Sequence, residues 1–373
     1  MKFLSQIPGK KLSGKTVILR LDLNIQNNEL KNSLRLQRSA ATVMYLLRNK
    51  CSVVILSHKG RPDMKSKDAV KLSLKPIGNE LEKIIGQKIH FISFADFKNA
   101  VKILSNKKQG EVFLVENLRF WKGEEKNDVK FAKNLSKLGD IYVNDAFAVS
   151  HRKNASVDAI TGFIPSYAGL ELESELEAFK KVIIKPKKPL VLIIGGVKIS
   201  DKIGVIKKFI TKADWVLTGG GVANTFFAAK GIPVGKSVFD KDSLSLAKKW
   251  TLNKKIVFPE DVSVDSGEIL DIGPKTVAHY SKIISNAKTV IWNGPMGMIE
   301  KEKYQAGTVG LVKSMARSKD FSIVGGGETT SLILEKNLQS NISFLSVGGG
   351  AMLEYLSGKK LPGIEALKKS KKV

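Results

Sequence analysis

Short apolar runs alternate with amphipathic stretches along nearly the whole chain, and that grammar leaves few folds open. In the first half the strand-like runs are Val17–Ile25, Val53–Ser57, Ile89–Ile92, Val112–Glu116 and Ile141–Asp145. In the second they are Leu190–Ile194, Trp215–Thr218, Ile256–Phe258, Val290–Trp292, Phe321–Val324 and Ile342–Leu345. Segments such as Leu74–Ile85 and Asp128–Leu138 carry helical spacing between them. Strands separated by helices cross over and pair in parallel, so the chain is expected to be α/β, with Rossmann-like parallel sheets. The order of the strands within a sheet is not legible from this pattern.

A chain of 373 residues is long for one core and comfortable for two. Between the halves, Leu172, Leu176, Phe179 and Ile183 form one helical stripe. Early acids and late lysines suit the dipole of that helix, and the Lys-Pro-Lys-Lys-Pro of residues 185–189 ends it. The expected division is an N-terminal domain over 1–166, an interdomain helix and hinge over 167–184, a C-terminal domain over 185–355 and a terminal segment over 356–373.

Hydrophobic content of 43% with 26% charged residues is that of a soluble globular protein, and no apolar run is long enough to cross a bilayer. The start turns polar too soon for a signal peptide. A single cysteine, Cys51, excludes an internal disulfide and reads as a buried strand thiol; a cytoplasmic location is expected. The net charge of +27 suits an enzyme of anionic substrates, a binder of acidic membranes or a nucleic-acid binder. Much of the excess is lysine spread along the chain, as at Lys107, Lys108, Lys254 and Lys255, with denser clusters at Lys185–Lys188 and Lys368–Lys372. No aromatic interleaving, zinc spacing or ribonucleoprotein strand motif accompanies them, which leaves nucleic-acid binding as the alternative reading.

The two halves differ in the residues placed just past their strand ends. In the first half these are Asp22, Asn24, His58, Arg61, Arg119, Asp145, His151 and Arg152. Taken singly each is an ordinary polar turn; gathered on one sheet rim, arginines repel one another unless an anion neutralises them. In the second half the strands run into glycines at Gly195-Gly196, Gly219–Gly221, Gly325–Gly327 and Gly348–Gly350, with Asn293–Gly297 a variant. Bare backbone before a helix start offers unpaired N–H groups to a phosphate. Open α/β sheets bind ligands at the carboxyl ends of their strands, so the first half is expected to grip a small anion and the second to wrap a nucleotide. Lys198 and Lys202, four apart at an expected helix start, read as two ammonium groups for a polyphosphate or as a solvated basic face.

Two tempting motifs fail. Gly231-Ile-Pro-Val-Gly-Lys-Ser237 has three residues between its glycines where a P-loop needs four, with a proline inside, and reads as a surface loop. There is no GxGxxG dinucleotide fingerprint. The histidines His58, His90, His151 and His279 lack zinc spacing, and His90 inside a strand run reads as structural.

Arg20-Leu-Asp-Leu-Asn24, Ser57-His-Lys-Gly-Arg-Pro62, Glu116-Asn-Leu-Arg119, Asn144-Asp-Ala-Phe147, Gly195-Gly-Val-Lys198, Trp292-Asn-Gly-Pro295 and Gly325–Gly327 stand in order along the chain. Together they resemble the phosphoglycerate kinase family from Val17 to Gly363. The resemblance implies a monomeric, hinge-closing enzyme that moves a phosphoryl group between 1,3-bisphosphoglycerate and Mg-ADP, giving 3-phosphoglycerate and Mg-ATP. By that resemblance Asp22, Asn24, Arg35, His58, Arg61, Arg119 and Arg152 hold phosphoglycerate. Gly195, Gly219, Gly220, Leu270, Pro295 and Met298 form the adenine slot, and Glu300 reaches the ribose. Asn293, Lys198, Lys202 and the turn Gly325, Gly326, Gly327, Glu328 and Thr329 meet the phosphates. Arg35, Lys198 and the Gly327 amide would neutralise the transferring group, and the segment near Leu361-Pro-Gly363 would return toward the N-terminal lobe. Two positions depart from the family: Glu328, where an aspartate usually serves magnesium, and Gln26, where a proline is usual. Glu328 keeps the charge with one more methylene and is expected to serve the metal still.

Overall fold

The structure, a computed structural model, describes residues 1–26, 30, 33–63, 67–316 and 320–370. Lys371 and Lys372 of the tail cluster lie outside the described residues. The chain divides into two compact units, Met1–Leu176 with the segment from Lys360, and Glu177–Lys359.

The first unit holds β1 (Thr16–Arg20), β2 (Ser52–Leu56), β3 (Ile89–Ile92), β4 (Val112–Val115), β5 (Ile141–Asn144) and β6 (Ser166–Ala168) in the order β3-β4-β2-β1-β5-β6. Every pairing is parallel. The register sets Arg20 level with Leu56 and Asn144, and Ile55 level with Leu114, so four central strands leave the sheet at one height. β1 and β2 are buried at every position, as strands covered on both faces must be. The helix Leu34–Arg48 starts on Ser33, whose Oγ accepts the Leu36 amide. The helix Val129–Ser136 starts on Asp128, which accepts the Phe131 amide at 2.7 Å. The helix Pro362–Lys369 belongs to this unit, with the Gly363 amide donating to the Ser150 carbonyl at 2.9 Å.

The second unit holds β7 (Leu190–Ile194), β8 (Trp215–Thr218), β9 (Ile256–Val257), β12 (Thr289–Asn293), β13 (Phe321–Gly325) and β14 (Phe344–Ser346) in the order β14-β13-β12-β7-β8-β9, again parallel. The chain winds outward from β7 to one edge and then from β12 to the other, so its direction reverses between β7 and β12. Asn293 is level with both Ile194 and Gly325. Beside this sheet, β10 (Val262–Asp265) and β11 (Glu268–Ile272) form an antiparallel hairpin. Its turn at Ser266 and Gly267 has positive φ at both positions.

Two elements differ from the sequence-based expectation. Residues 167 and 168 are strand rather than helix: β6 pairs with β5, and the helix runs over Leu170–Ile183. The hairpin was not anticipated, although its alternation across Ser-Gly is a hairpin signal. Cys51 is buried as expected, just before β2, and burial pushes its thiol up to about 11. His90 sits in β3 and stacks on Phe113 with ring centres 5.1 Å apart. Among the described residues no helix is long and apolar enough to cross a membrane.

Asp145, just past β5, starts the helix Leu170–Ile183: its Oδ1 accepts the amides of Glu171 and Leu172 at 2.8 and 3.1 Å. Burial pushes its carboxyl up to about 6, against the pull of those amides. The fold therefore holds the proton more tightly than the unfolded chain does. Ionisation costs stability fully above the folded value, and the cost fades as pH falls through it. Asp145→Asn keeps the acceptor and removes the charge. It is expected to stabilise the protein by about 1–3 kcal/mol near pH 8, with the gain vanishing near pH 4, as read from urea titrations.

Candidate active site

The rim of the first sheet is stitched from strand to strand. The Ser57 hydroxyl donates to the Leu21 carbonyl at 2.7 Å and accepts the Leu23 amide at 2.9 Å. Asn24 Oδ1 accepts the Gly60 amide at 2.9 Å, and Arg119 Nη1 donates to the Gly60 carbonyl. Asn117 exchanges both amide bonds with Lys59, at 3.1 and 2.7 Å. Arg35, from the helix Leu34–Arg48, lies 3.1 Å from Asp22 Oδ2 and donates to the Asn24 carbonyl at 3.0 Å.

His58 is buried in the middle of this rim, 3% exposed. Its pKa is held well below the usual imidazole value by burial first, and then by Arg20, Arg119, Arg152 and Arg35. Arg119 is itself pressed by burial and by Arg152, with Glu125 at 3.2 Å opposing. Arg119 and Arg152, predicted at the strand ends, therefore share one electrostatic neighbourhood with Arg35 and His58. Arg61 is exposed on the loop that carries His58. Arg20, inside β1 and 1% exposed, was assigned no role from sequence; it donates to His58 Nδ1 at 3.1 Å. A cation inside an apolar strand is the signal that marks it.

In the second unit a cavity of about 870 Å³ opens over the ends of β7, β12 and β13, a size that suits a nucleotide-scale ligand. Lys198, Lys202, Asn293, Pro295 and the turn from Gly326 to Thr329 line it. The helix Gly327–Glu335 begins at Gly326, at φ +110° and with no side-chain cap, so its first amides face the cavity wall unscreened. Thr329 is fully buried at this helix start, and its hydroxyl has no hydrogen-bond partner among the described residues. A phosphate oxygen would satisfy it. Asn293 Nδ2 donates to the Gly325 carbonyl at 3.1 Å, tying β12 to this turn.

Lys202 is buried, and burial lowers its pKa while Asp201 and Glu328 pull the other way. Lys198 lies in a turn outside any helix, so the expected shared helical face is corrected. Lys202 Nζ instead reaches the Lys198 carbonyl at 3.4 Å, and both lysines still line the one cavity.

The turns after β7, β8 and β12 are locked together. The Gly196 amide donates to the Pro295 carbonyl at 2.7 Å, and the Gly220 amide to the Met296 carbonyl at 2.8 Å. A Cβ on Gly195 would collide with the Pro295 carbonyl, and one on Gly219 with Met296. Leu270 of β11 accepts the Met298 amide at 2.7 Å, so these two predicted adenine contacts adjoin. Leu270, Met298 and Glu300 are outside the cavity lining. Gly349 and Gly350, from the expected glycine run, also line the cavity; Leu353 and Glu354 of the uncapped helix Gly349–Leu356, with Lys359 beyond it, were assigned no role from sequence. The glycine run ahead of them was their visible signal.

A cation-rich rim on one parallel sheet and a cavity lined by helix-start amides on another mark a two-unit α/β protein, and the comparisons give its class as a phosphotransferase. A family model for phosphoglycerate kinase matches residues 7–359. Phosphoglycerate kinase of Herpetosiphon aurantiacus is 41% identical over 95% of this chain and 96% of its own length. That of Pseudothermotoga lettingae is 40% identical over 97% and 98%. Among solved structures, phosphoglycerate kinase from Pyrococcus horikoshii superposes with a TM-score of 0.85 at 31% identity, covering 99% of this chain and 98% of that one. The Coxiella burnetii enzyme gives 0.82 at 35%, covering 99% of both. The chain belongs to the phosphoglycerate kinase family. The nucleic-acid reading finds no support in these comparisons.

The atom facing Gly195 is backbone and cannot swing aside. Gly195→Ala is expected to destabilise the protein by about 1–3 kcal/mol, read as a lower urea midpoint, through overpacking of the β7 and β12 turns.

Proposed function

We propose that this chain catalyses reversible phosphoryl transfer between 1,3-bisphosphoglycerate and Mg-ADP, yielding 3-phosphoglycerate and Mg-ATP, the glycolytic step of its family. The observation that carries the reading is the shared neighbourhood of Arg35, Arg119 and Arg152 around a buried, neutral His58. Four cations with Arg20 beside one imidazole repel one another, and a phosphorylated carboxylate offsets that repulsion. In the direction of ATP use, a carboxylate oxygen of 3-phosphoglycerate attacks the terminal phosphorus, and the bond to the oxygen of the leaving ADP breaks. The attacking oxygen is already ionised, so no general base is required. Catalysis is alignment and neutralisation of the transferring charge. Arg35, Lys198 and the Gly327 amide would supply it, with Asp22, Asn24 and Arg61 completing the phosphoglycerate grip. Transfer requires the two guests to meet with water excluded, the task assigned here to hinge closure.

The cradle fits a magnesium nucleotide. Among the described residues no three carboxylate, histidine or cysteine side chains converge on a metal point. Magnesium would therefore be held through Glu328, water and phosphate oxygens, and would draw off charge from the phosphates. Leu270 and Met298 would flank the base, and Glu300 would meet the ribose. We place the enzyme in the cytoplasm as a monomer.

The test is a coupled assay on the purified chain with 3-phosphoglycerate, ATP and magnesium: turnover supports the proposal, and nucleotide binding without turnover would make the chain a silent relative. Arg35→Ala is expected to cut kcat about 100-fold while moving the KM for ATP less than about twofold. Glu328→Gln is expected to raise the magnesium concentration for half-maximal rate about tenfold. An unaltered magnesium requirement would remove Glu328 from the metal's coordination.

A further inference from the structure

We propose that Arg20, Ser156 and Glu124 form a buried positioning brace that holds His58 as the neutral tautomer with its proton on Nε2, presenting the rim with a fixed donor. The consequence for substrate rests on the reading above; the tautomer itself does not.

The bond directions come from the donor inventory. A guanidinium only donates. Arg20 Nη2 lies 3.1 Å from His58 Nδ1, so Nδ1 must accept, and the imidazole proton is on Nε2. Arg20 Nη1 donates to the Leu21 carbonyl, and Nε donates to Ser156 Oγ at 2.9 Å. Because Ser156 Oγ receives that hydrogen, its own proton points to Glu124 Oε1, 2.6 Å away. The Ser156 amide fills Glu124 Oε2 at 3.0 Å, and Glu124 is fully buried. Tyr142 donates to the Ser156 carbonyl at 2.6 Å and fixes the segment from the side. Three separate stretches of chain thus set one imidazole: β1, the loop after Arg152, and the helix Lys122–Glu125.

The charges acting on His58 come from four separate elements. Arg20 lies on β1, Arg119 comes after β4, Arg152 after β5, and Arg35 lies on the helix Leu34–Arg48. Lys59 is its chain neighbour. The nearby carboxylates are engaged elsewhere: Asp22 with Arg35, Glu125 with Arg119 and Glu124 with Ser156. Protonating Nδ1 would set one N–H against another amid cations. Burial and those arginines depress the imidazole further in the same direction. His58 therefore has one N–H to donate without carrying charge, and its state does not change across neutral pH.

A merely structural buried Arg–Ser–Glu cluster would leave the tautomer unaffected, so the tautomer is the readout. The full chain, labelled with nitrogen-15 in its histidines, is studied by imidazole NMR without substrate, and His58→Gln identifies the signal among the four histidines. The expected result is a proton on Nε2, none on Nδ1 and no titration between about pH 6 and 9. Ser156→Ala removes one oxygen; the second tautomer or a titration should appear, and the KM for 3-phosphoglycerate should rise about 3–10-fold with kcat within about twofold. Ser156→Thr, which restores the hydroxyl, should return both. A parent protein with the proton on Nδ1, or a Ser156→Ala variant with the tautomer and KM unmoved, would overturn the proposal. If Ser156→Ala does not fold, the parent tautomer decides alone. Absent turnover by the parent would count against the substrate reading and leave the brace standing.

Discussion

Parallel pairing in level register is the constraint on which every functional side chain here depends. Parallel strands all point one way, and the connecting helices carry the chain back to the opposite edge. Each strand therefore ends on the same edge, where its loop begins and the next helix presents its amide-rich start. Arg20 level with Leu56 and Asn144, and Asn293 level with Ile194 and Gly325, bring distant sequence positions to one height. A slip of one residue in either sheet would turn a buried side chain such as Arg20 to the other face and dismantle the rim.

In the proposed function the two rims would meet anions by different physics. The first uses side-chain cations set in an apolar wall, where repulsion is not screened by water and the net field favours a bound anion. Burial first, and that field after it, keep His58 neutral, so the same arrangement that attracts charge limits which group can carry it. The second rim uses main-chain donors. Gly195 and Gly219 let the β7, β8 and β12 turns press together, and the uncapped starts of Gly327–Glu335 and Gly349–Leu356 both line one cavity. Among the described residues, only Lys198, Lys202 and Lys359 add full positive charge to its lining.

Much of this was legible residue by residue. The strand runs stand within a residue or two of their positions, except where Val17–Ile25 continues past β1 as an irregular loop that carries Asp22 and Asn24. β6 was missed because three residues give no period to read, and its partner β5 is far away in sequence. Arg20 was passed over because in a string it is one polar letter in an apolar run. Its meaning lies in Ser156, Glu124 and His58, which only folding brings to it.

By itself the sequence determined the class of fold, the two halves and the kinds of chemistry at the strand ends, because periodicity, glycine and charge act locally and need no knowledge of neighbours. The tertiary structure alone decided strand order, which glycines press against a carbonyl and which face a cavity, and which way the His58 proton points. Those are properties of pairs far apart along the chain. Their energies depend on burial and on hydrogen-bond partners that no local window contains.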